Sequence, residues 1–256
     1  EVKAETLREH SAIISRLQSE NSSLQSKITT LMNGEHRKIF EEERELTVRL
    51  LVDVSGSKEC GTKGKRKQDL ATEICAVLAF SAIQNNDKVG LVLFSDQIEL
   101  FIPPKKGRFH ILRIIRELLE FSPKSKKTNI AQALKYLTLV LKKKAIVFVL
   151  SDFMDTNYKD TLKIVSGKHD LTGIRVYDPI ETELIPLGLV PMQDNETGAW
   201  RLVNTSSRKV RNAYKAHYNK NAQQFHDAFL KSGAGQISCS VQESYVKKLL
   251  GYFKTR

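Results

Sequence analysis

The chain has 256 residues, 41% of them apolar and 27% charged, the balance of an ordinary soluble globular protein. That length allows one domain of about 200 residues plus an appendage, or two small domains. No apolar run reaches the ~18 residues of a membrane helix, and no secretory leader pattern opens the chain. Its net charge of +12 is uneven. Residues 1–35 hold four Lys/Arg against five Asp/Glu, leaving 37 against 24 in residues 36–256, so the larger part invites anionic partners.

Residues 1–33 read as a separate helix. Leu7, Ile14, Asn21 and Ile28 recur every seven residues, with Leu17, Leu24 and Leu31 at an offset of three. This is an a/d seam with a polar Asn21 at an a position, while His10 falls at a d position and Ile13 outside the seam. A dimer through this helix and a lone amphipathic helix packed on its own domain both fit the pattern. Asn33-Gly34 then stops it.

Residues 46–55 are expected to form a strand: Thr47, Val48, Leu50, Leu51 and Val52 are β-branched or aliphatic, with Arg49 the one exception. A basic loop, Gly61 to Lys67, leads to a helix from Gln68 to Asn85. Val89–Phe94 reads as a second buried strand and Ile98–Pro103 as its hairpin partner, with Pro103-Pro104 ending the pairing. A helix from about Arg108 to Phe121 and another from Ile130, capped by Thr128 or Asn129, bracket a polar loop. Ala145–Leu150 is the most hydrophobic run and ends in Ser151-Asp152. A helix near Tyr158–Ser166 and a strand Leu171–Tyr177 complete a β-α alternation, which argues a mostly parallel sheet with helices on both faces. After Pro179 come a hairpin (Leu189–Met192 with Ala199–Val203), a basic helix over 207–231, a strand Gln236–Val241 and a helix Glu243–Phe253. The expected division is a helix over 1–35, an α/β core over 40–180, and an extension over 181–256 packed on that core. Of the cysteines Cys60, Cys75 and Cys239, none has metal-ligand spacing, and a reducing cytosol suits three that cannot all pair.

The chemistry concentrates where the first strand ends, at Asp53-Val54-Ser55-Gly56-Ser57. Ligands of parallel sheets lie beyond the carboxyl ends of the strands. A carboxylate and two hydroxyls at alternate positions offer only oxygen, the donor set of a hard cation such as Mg²⁺. The alternative is a helix cap.

Two buried strands ending in Asp53-Val54-Ser55-Gly56-Ser57 and in Asp152, with a loop ending in Thr128 between them, resemble the von Willebrand factor A domain. The stretches LAFSAIQNNDKVGLVLFSD, IPPKKGRFHILRIIRELL, IVFVLSDFMD, KHDLTGIRVYDP and LGLVPMQDNETG are similar to the MoxR-associated proteins of domain-of-unknown-function family 58. The resemblance implies a Rossmann-like α/β sandwich. It also implies a non-catalytic, metal-dependent protein-binding module working beside a MoxR-type AAA+ ATPase in assembly or maturation of other proteins. By position, Asp53, Ser55, Ser57, Thr128 and Asp152 would hold the metal: Mg²⁺, with Mn²⁺ or Ca²⁺ as alternatives. Residues 1–35 lack the family's R-x-Y-x-x-G-D-D-x-R-x-I-D-W-like signature, and Lys58 stands where many relatives have Met.

On such a fold the loops beside the metal carry Lys58, Lys63, Lys65, Arg66 and Lys67, and Lys124, Lys126 and Lys127. A basic rim around a divalent cation would attract an acidic partner surface supplying Asp or Glu; solvated loop lysines are the plainer reading. Catalysis by Ser55 or Ser57 lacks an assignable histidine partner, and Asp53 as a phosphoryl acceptor lacks a second carboxylate at position 55. Nucleic-acid binding is the other alternative: Arg208, Lys209, Arg211, Lys215 and Lys220 lie on one late helix with Tyr214 and Tyr218, without a recognised module.

Overall fold

A computed structural model describes residues 46–56, 61–62, 65–193 and 199–255. The heptad segment 1–35 lies outside the described residues, as do Ser57, Lys58, Cys60 and Lys63.

Strand β1 (Thr47–Asp53) is buried from its second residue to its last. Helix α1 (Lys67–Gln84) follows, apolar over most of its circumference and buried accordingly. Then come β2 (Lys88–Phe94), β3 (Ile98–Lys105), α2 (Arg108–Glu120) and α3 (Ile130–Val140). Strand β4 (Ile146–Ser151), helix α4 (Lys159–Lys168) and strand β5 (Asp170–Tyr177) complete the alternation. A 3-10 turn, Pro179–Thr182, leads to a separate hairpin of β6 (Leu189–Gln193) and β7 (Trp200–Asn204). Helix α5 (Arg208–Ser232), strand β8 (Gly235–Ser240) and helix α6 (Tyr245–Lys254) close the chain.

The six-stranded sheet has the order β8-β5-β4-β1-β2-β3. All its pairings are parallel except that of β3 with β2. Two apolar cores sandwich it, because side chains alternate across a strand. Leu50, Val52, Leu91, Leu93 and Leu150 face α1, α2 and α6. Leu51, Val92, Phe94, Val147 and Val149 face α3, α4 and α5. This is the α/β sandwich with a mostly parallel central sheet that the alternation implies. Its sixth strand, β8, comes from the C-terminal segment, which is therefore part of the sheet.

Two local departures have clear causes. Pro103-Pro104 does not end β3, which runs on to Lys105. The strand lies at the sheet edge, where a missing N–H costs no ladder bond, and the register shifts between Val89 and Leu91 beside it. Arg49 is 4% exposed inside the α3-side core, with its guanidinium 5.3 Å from the Phe101 ring centroid. Gly90 makes the room: a Cβ there would lie 2.5 Å from Arg49 Nη1. Burial lowers the pKa of Arg49 below its ordinary value.

Gly173 of β5 is needed for the same kind of reason, since a Cβ there would fall 2.4 Å from two ring carbons of Phe229. Gly173→Ala must displace a buried ring and should lower unfolding free energy by about 1–3 kcal/mol, read from urea denaturation; unchanged stability would contradict this packing. Cys75 and Cys239 are both fully buried, and burial pushes the Cys239 thiol up to about 11. Neither should be alkylated by iodoacetamide in the native protein at pH 8, whereas both should react in urea, as peptide mass mapping would show.

Candidate functional site

The connections leaving β1 and β4 diverge. From β1 the chain passes through α1 to β2 on one side, and from β4 through α4 to β5 on the other. Adjacent parallel strands with diverging connections leave a crevice at their carboxyl ends, the usual ligand position of such sheets. Asp53 ends β1, Ser151 ends β4 and Asp152 follows it directly; Val52 pairs with Leu150, so Asp53 and Ser151 are the next residues on neighbouring strands.

Asp53 is fully buried and hydrogen-bonded on both oxygens. The Ser55 backbone N–H donates to Oδ1 at 2.9 Å, which curls the chain straight after the strand. The Ser151 hydroxyl donates to Oδ2 at 2.6 Å, a charge-assisted bond that ties β4 to β1. Ser151 was not among the residues singled out from sequence; its place just before Asp152 at the end of a buried strand was the available signal. Its Oγ also accepts from the Phe153 N–H at 3.1 Å. Phe153 adopts φ +56°, a left-handed conformation that costs a non-glycine residue roughly 1 kcal/mol or more. Its buried ring is held against Phe225, Phe229 and Tyr158, with centroids 4.5, 5.3 and 5.7 Å away.

The loop between α2 and α3 joins the same edge. Gly56 N–H donates to Lys126 carbonyl at 3.1 Å, and Asn129 N–H to Ser95 carbonyl at 3.0 Å. Thr128, half-buried, sits between those anchors, and Asn129 is the residue that caps α3, accepting from Gln132 N–H at 2.9 Å. Glu99 Oε1 accepts from the Lys124 and Ser125 N–H groups at 3.2 and 3.3 Å. Burial opposes its ionisation, but these bonds and those from Ser95 and Gln97 hold its carboxyl below the usual range.

The chain thus brings Asp53, Ser55, Thr128 and Asp152 to one edge, while Ser57 lies outside the described residues. The donor set suits a hard divalent ion: two carboxylates and hydroxyls, with no sulfur or imidazole. A carboxylate oxygen that accepts one hydrogen bond keeps lone-pair capacity for a cation.

The basic residues divide. Lys124, Lys126 and Lys127 are exposed on the loop, and Arg66 is exposed and paired with Asp69 at 3.5 Å. Lys65 belongs to a short ladder in which Gly61–Thr62 pairs with Lys65–Arg66. Lys67 is not on the rim at all: its side chain is 3% exposed, with Nζ 3.3 Å from Asp152 Oδ2 and 2.8 Å from Glu181 Oε1. It is the first residue of α1, which turns it inward to two carboxylates distant in sequence. Burial opposes its charge, but Asp152 and Glu181 outweigh burial and hold its pKa above the ordinary lysine value. Burial raises the Glu181 carboxyl above the usual range, against the pull of Lys67.

The residues of the alternative readings are placed as well. His110 and His169 sit by the amino ends of β2 and β5, at the opposite edge of the sheet: His110 Nε2 lies 2.9 Å from the Val89 carbonyl, and His169 directly precedes β5. On α5, Tyr218 is buried and faces the Arg175 guanidinium at 5.1 Å, and the Tyr214 hydroxyl donates to the Glu181 carbonyl at 3.0 Å. Tyr218 is thereby not presented as a stacking platform, while Tyr214 is half-buried.

The chain is similar to several known proteins. It is 27% identical over 177 residues to the uncharacterized protein Rv1480 of Mycobacterium tuberculosis, covering 68% of this chain and 56% of that one. It is 27% identical over 103 residues to the uncharacterized protein MAV169 of Mycobacterium avium, covering 39% of this chain and 61% of that one. The chain thus spans little more than half the length of these curated relatives. Among solved structures it resembles an aerotolerance-related membrane protein from Bacteroides fragilis, with a TM-score of 0.54 at 14% identity over 82% of this chain and all of that one. It also resembles BatB from Bacteroides thetaiotaomicron, with a TM-score of 0.50 at 13% identity over 82% of this chain and 99% of that one. Both likenesses concern the fold. Among the described residues no helix is long and apolar enough to cross a membrane. A family model described as protein of unknown function DUF58 matches residues 23–224, and the chain belongs to that family.

Proposed function

We propose that this chain is a non-catalytic protein-interaction module whose docking edge is a divalent-cation site. Asp53, Ser55, Ser57, Thr128 and Asp152 would hold the ion, Mg²⁺ before Mn²⁺ or Ca²⁺. The observation that carries the reading is the convergence at the sheet's switch point. Asp53 ends β1 and Asp152 directly follows the neighbouring β4, and the Thr128 loop is bonded to the motif's own turn through Gly56 and Lys126. A bound divalent ion would leave a coordination position for a carboxylate from outside. Exposed Lys124, Lys126 and Lys127 beside it would draw an acidic surface and speed its encounter. The partner follows from the family resemblance: a MoxR-type AAA+ ATPase, in assembly or maturation of other proteins.

Surface plasmon resonance against the MoxR-type ATPase of the same cell tests both halves. Binding in Mg²⁺ should weaken at least about tenfold with chelator or in Asp53→Ala. Equal affinity in all three conditions would sink the metal reading. Reversing Lys124, Lys126 and Lys127 to Glu should slow association by about tenfold at low salt, with the difference shrinking as salt rises; an unchanged on-rate would remove the rim from the mechanism.

A further inference from the structure

Lys67 is where this site departs from a plain oxygen cage. A lysine at the first position of a helix meets the positive end of the macrodipole, and a buried ammonium costs several kcal/mol unless paired. Neither α1 nor the core accounts for Lys67; the carboxylates do. Its Nζ lies 3.3 Å from Asp152 Oδ2, and 2.8 and 3.0 Å from the two oxygens of Glu181. Beneath it is a cavity of about 10 Å³ lined by Lys67, Leu150, Ser151, Asp152 and Val176, room for one water at most. With its side chain 3% exposed, the ammonium is neutralised by the two carboxylates rather than by bulk solvent.

Glu181 is itself anchored. It lies in the 3-10 turn Pro179–Thr182, which Asp178 caps by accepting from Ile180 N–H at 3.1 Å. Its carbonyl accepts from the Tyr214 hydroxyl of α5. It is also the nearer of the two carboxylates, bonded through both oxygens, whereas Asp152 meets Lys67 through one oxygen at a longer distance. The other oxygen of Asp152 accepts from Met154 N–H at 3.3 Å. The pairing is therefore lopsided: Lys67 would keep a full partner if Asp152 were taken from it.

We infer that Lys67 is a resident counter-cation of the site, so that a divalent ion takes Asp152 by exchange while Lys67 remains on Glu181. The inference rests on the metal reading above and deepens it. Lys67 neutralises Asp152 in the metal-free protein, keeps the edge folded without a metal, and lowers affinity for one. Glu181 sets how easily Asp152 is released.

Titration of the full chain with Mn²⁺, followed by electron paramagnetic resonance and checked with Mg²⁺ by calorimetry, tests this. Lys67→Met keeps the unbranched apolar stem and removes the ammonium, and should lower the metal Kd at least about tenfold. Glu181→Gln takes away the lysine's closer carboxylate, leaving it to Asp152, and should raise the Kd severalfold, the opposite sign. The double variant Lys67→Met/Glu181→Gln removes one charge of each sign; it carries the test if the single lysine variant does not fold, with the same expected gain. Wild type and lysine variants binding alike would overturn the exchange and leave the metal site standing. No binding by any variant, or undiminished binding by Asp53→Ala, would overturn the metal reading and the exchange with it. Binding by the lysine variants alone would support the exchange in its strongest form.

Discussion

A carboxylate without solvent exposure at the end of the central strand is the constraint on which this edge of the molecule depends. Asp53 cannot be buried there as an ion unless its oxygens are satisfied, because an uncompensated charge in the interior costs several kcal/mol, a large part of a domain's margin of stability. The satisfying groups come from two directions, the Ser55 N–H just downstream and the Ser151 hydroxyl on the neighbouring strand. The second bond fixes the ends of β1 and β4 side by side at the point where their connections part. Ser151 then accepts from Phe153, whose left-handed backbone is held by its ring's packing on Phe225 and Phe229 of α5 and on Tyr158 just before α4. One buried charge thus sets the turn after β1, the end of β4 and the seat of two helices.

Around that carboxylate the charges fall into two layers. The inner layer is paired and largely withdrawn from solvent: Asp53 on its donors, and the partly exposed Asp152 and Glu181 on buried Lys67. The outer layer is the basic loop bearing Lys124, Lys126 and Lys127. Its backbone is pinned by Glu99, Ser95 and Gly56 while its side chains remain in water. A loop fixed by its main chain presents long charged side chains at a defined place, which suits attraction over distance better than close contact.

Much of this is legible in the sequence. The alternation of buried strands and amphipathic helices determines the sandwich, because period and length are local properties of the chain. Asp53 and Asp152 stood out because each ends an apolar run. Lys67 did not, since in Gly64-Lys65-Arg66-Lys67 it looks like one more loop lysine. What distinguishes it are partners 85 and 114 residues away, which no local pattern encodes. Arg49 likewise broke an otherwise apolar strand without showing why; the space left by Gly90 and the ring of Phe101 supply the reason. Pro103-Pro104 misled in the other direction, because breaking a strand and lying on a sheet edge look alike in one dimension.

Those two prolines have a consequence for how the molecule behaves among copies of itself. β3 is an eight-residue strand at the border of the sheet, and a border of that length is a template on which another chain can add a strand. Two successive residues without an N–H, placed beside a register shift, take one donor from that open border and leave the other gap facing β2, interrupting a growing ladder there. The cost within the fold is small, since the inner pairing resumes at Lys105. The gain is colloidal: crowded in a cell, the protein offers this edge poorly to amyloid-like stacking.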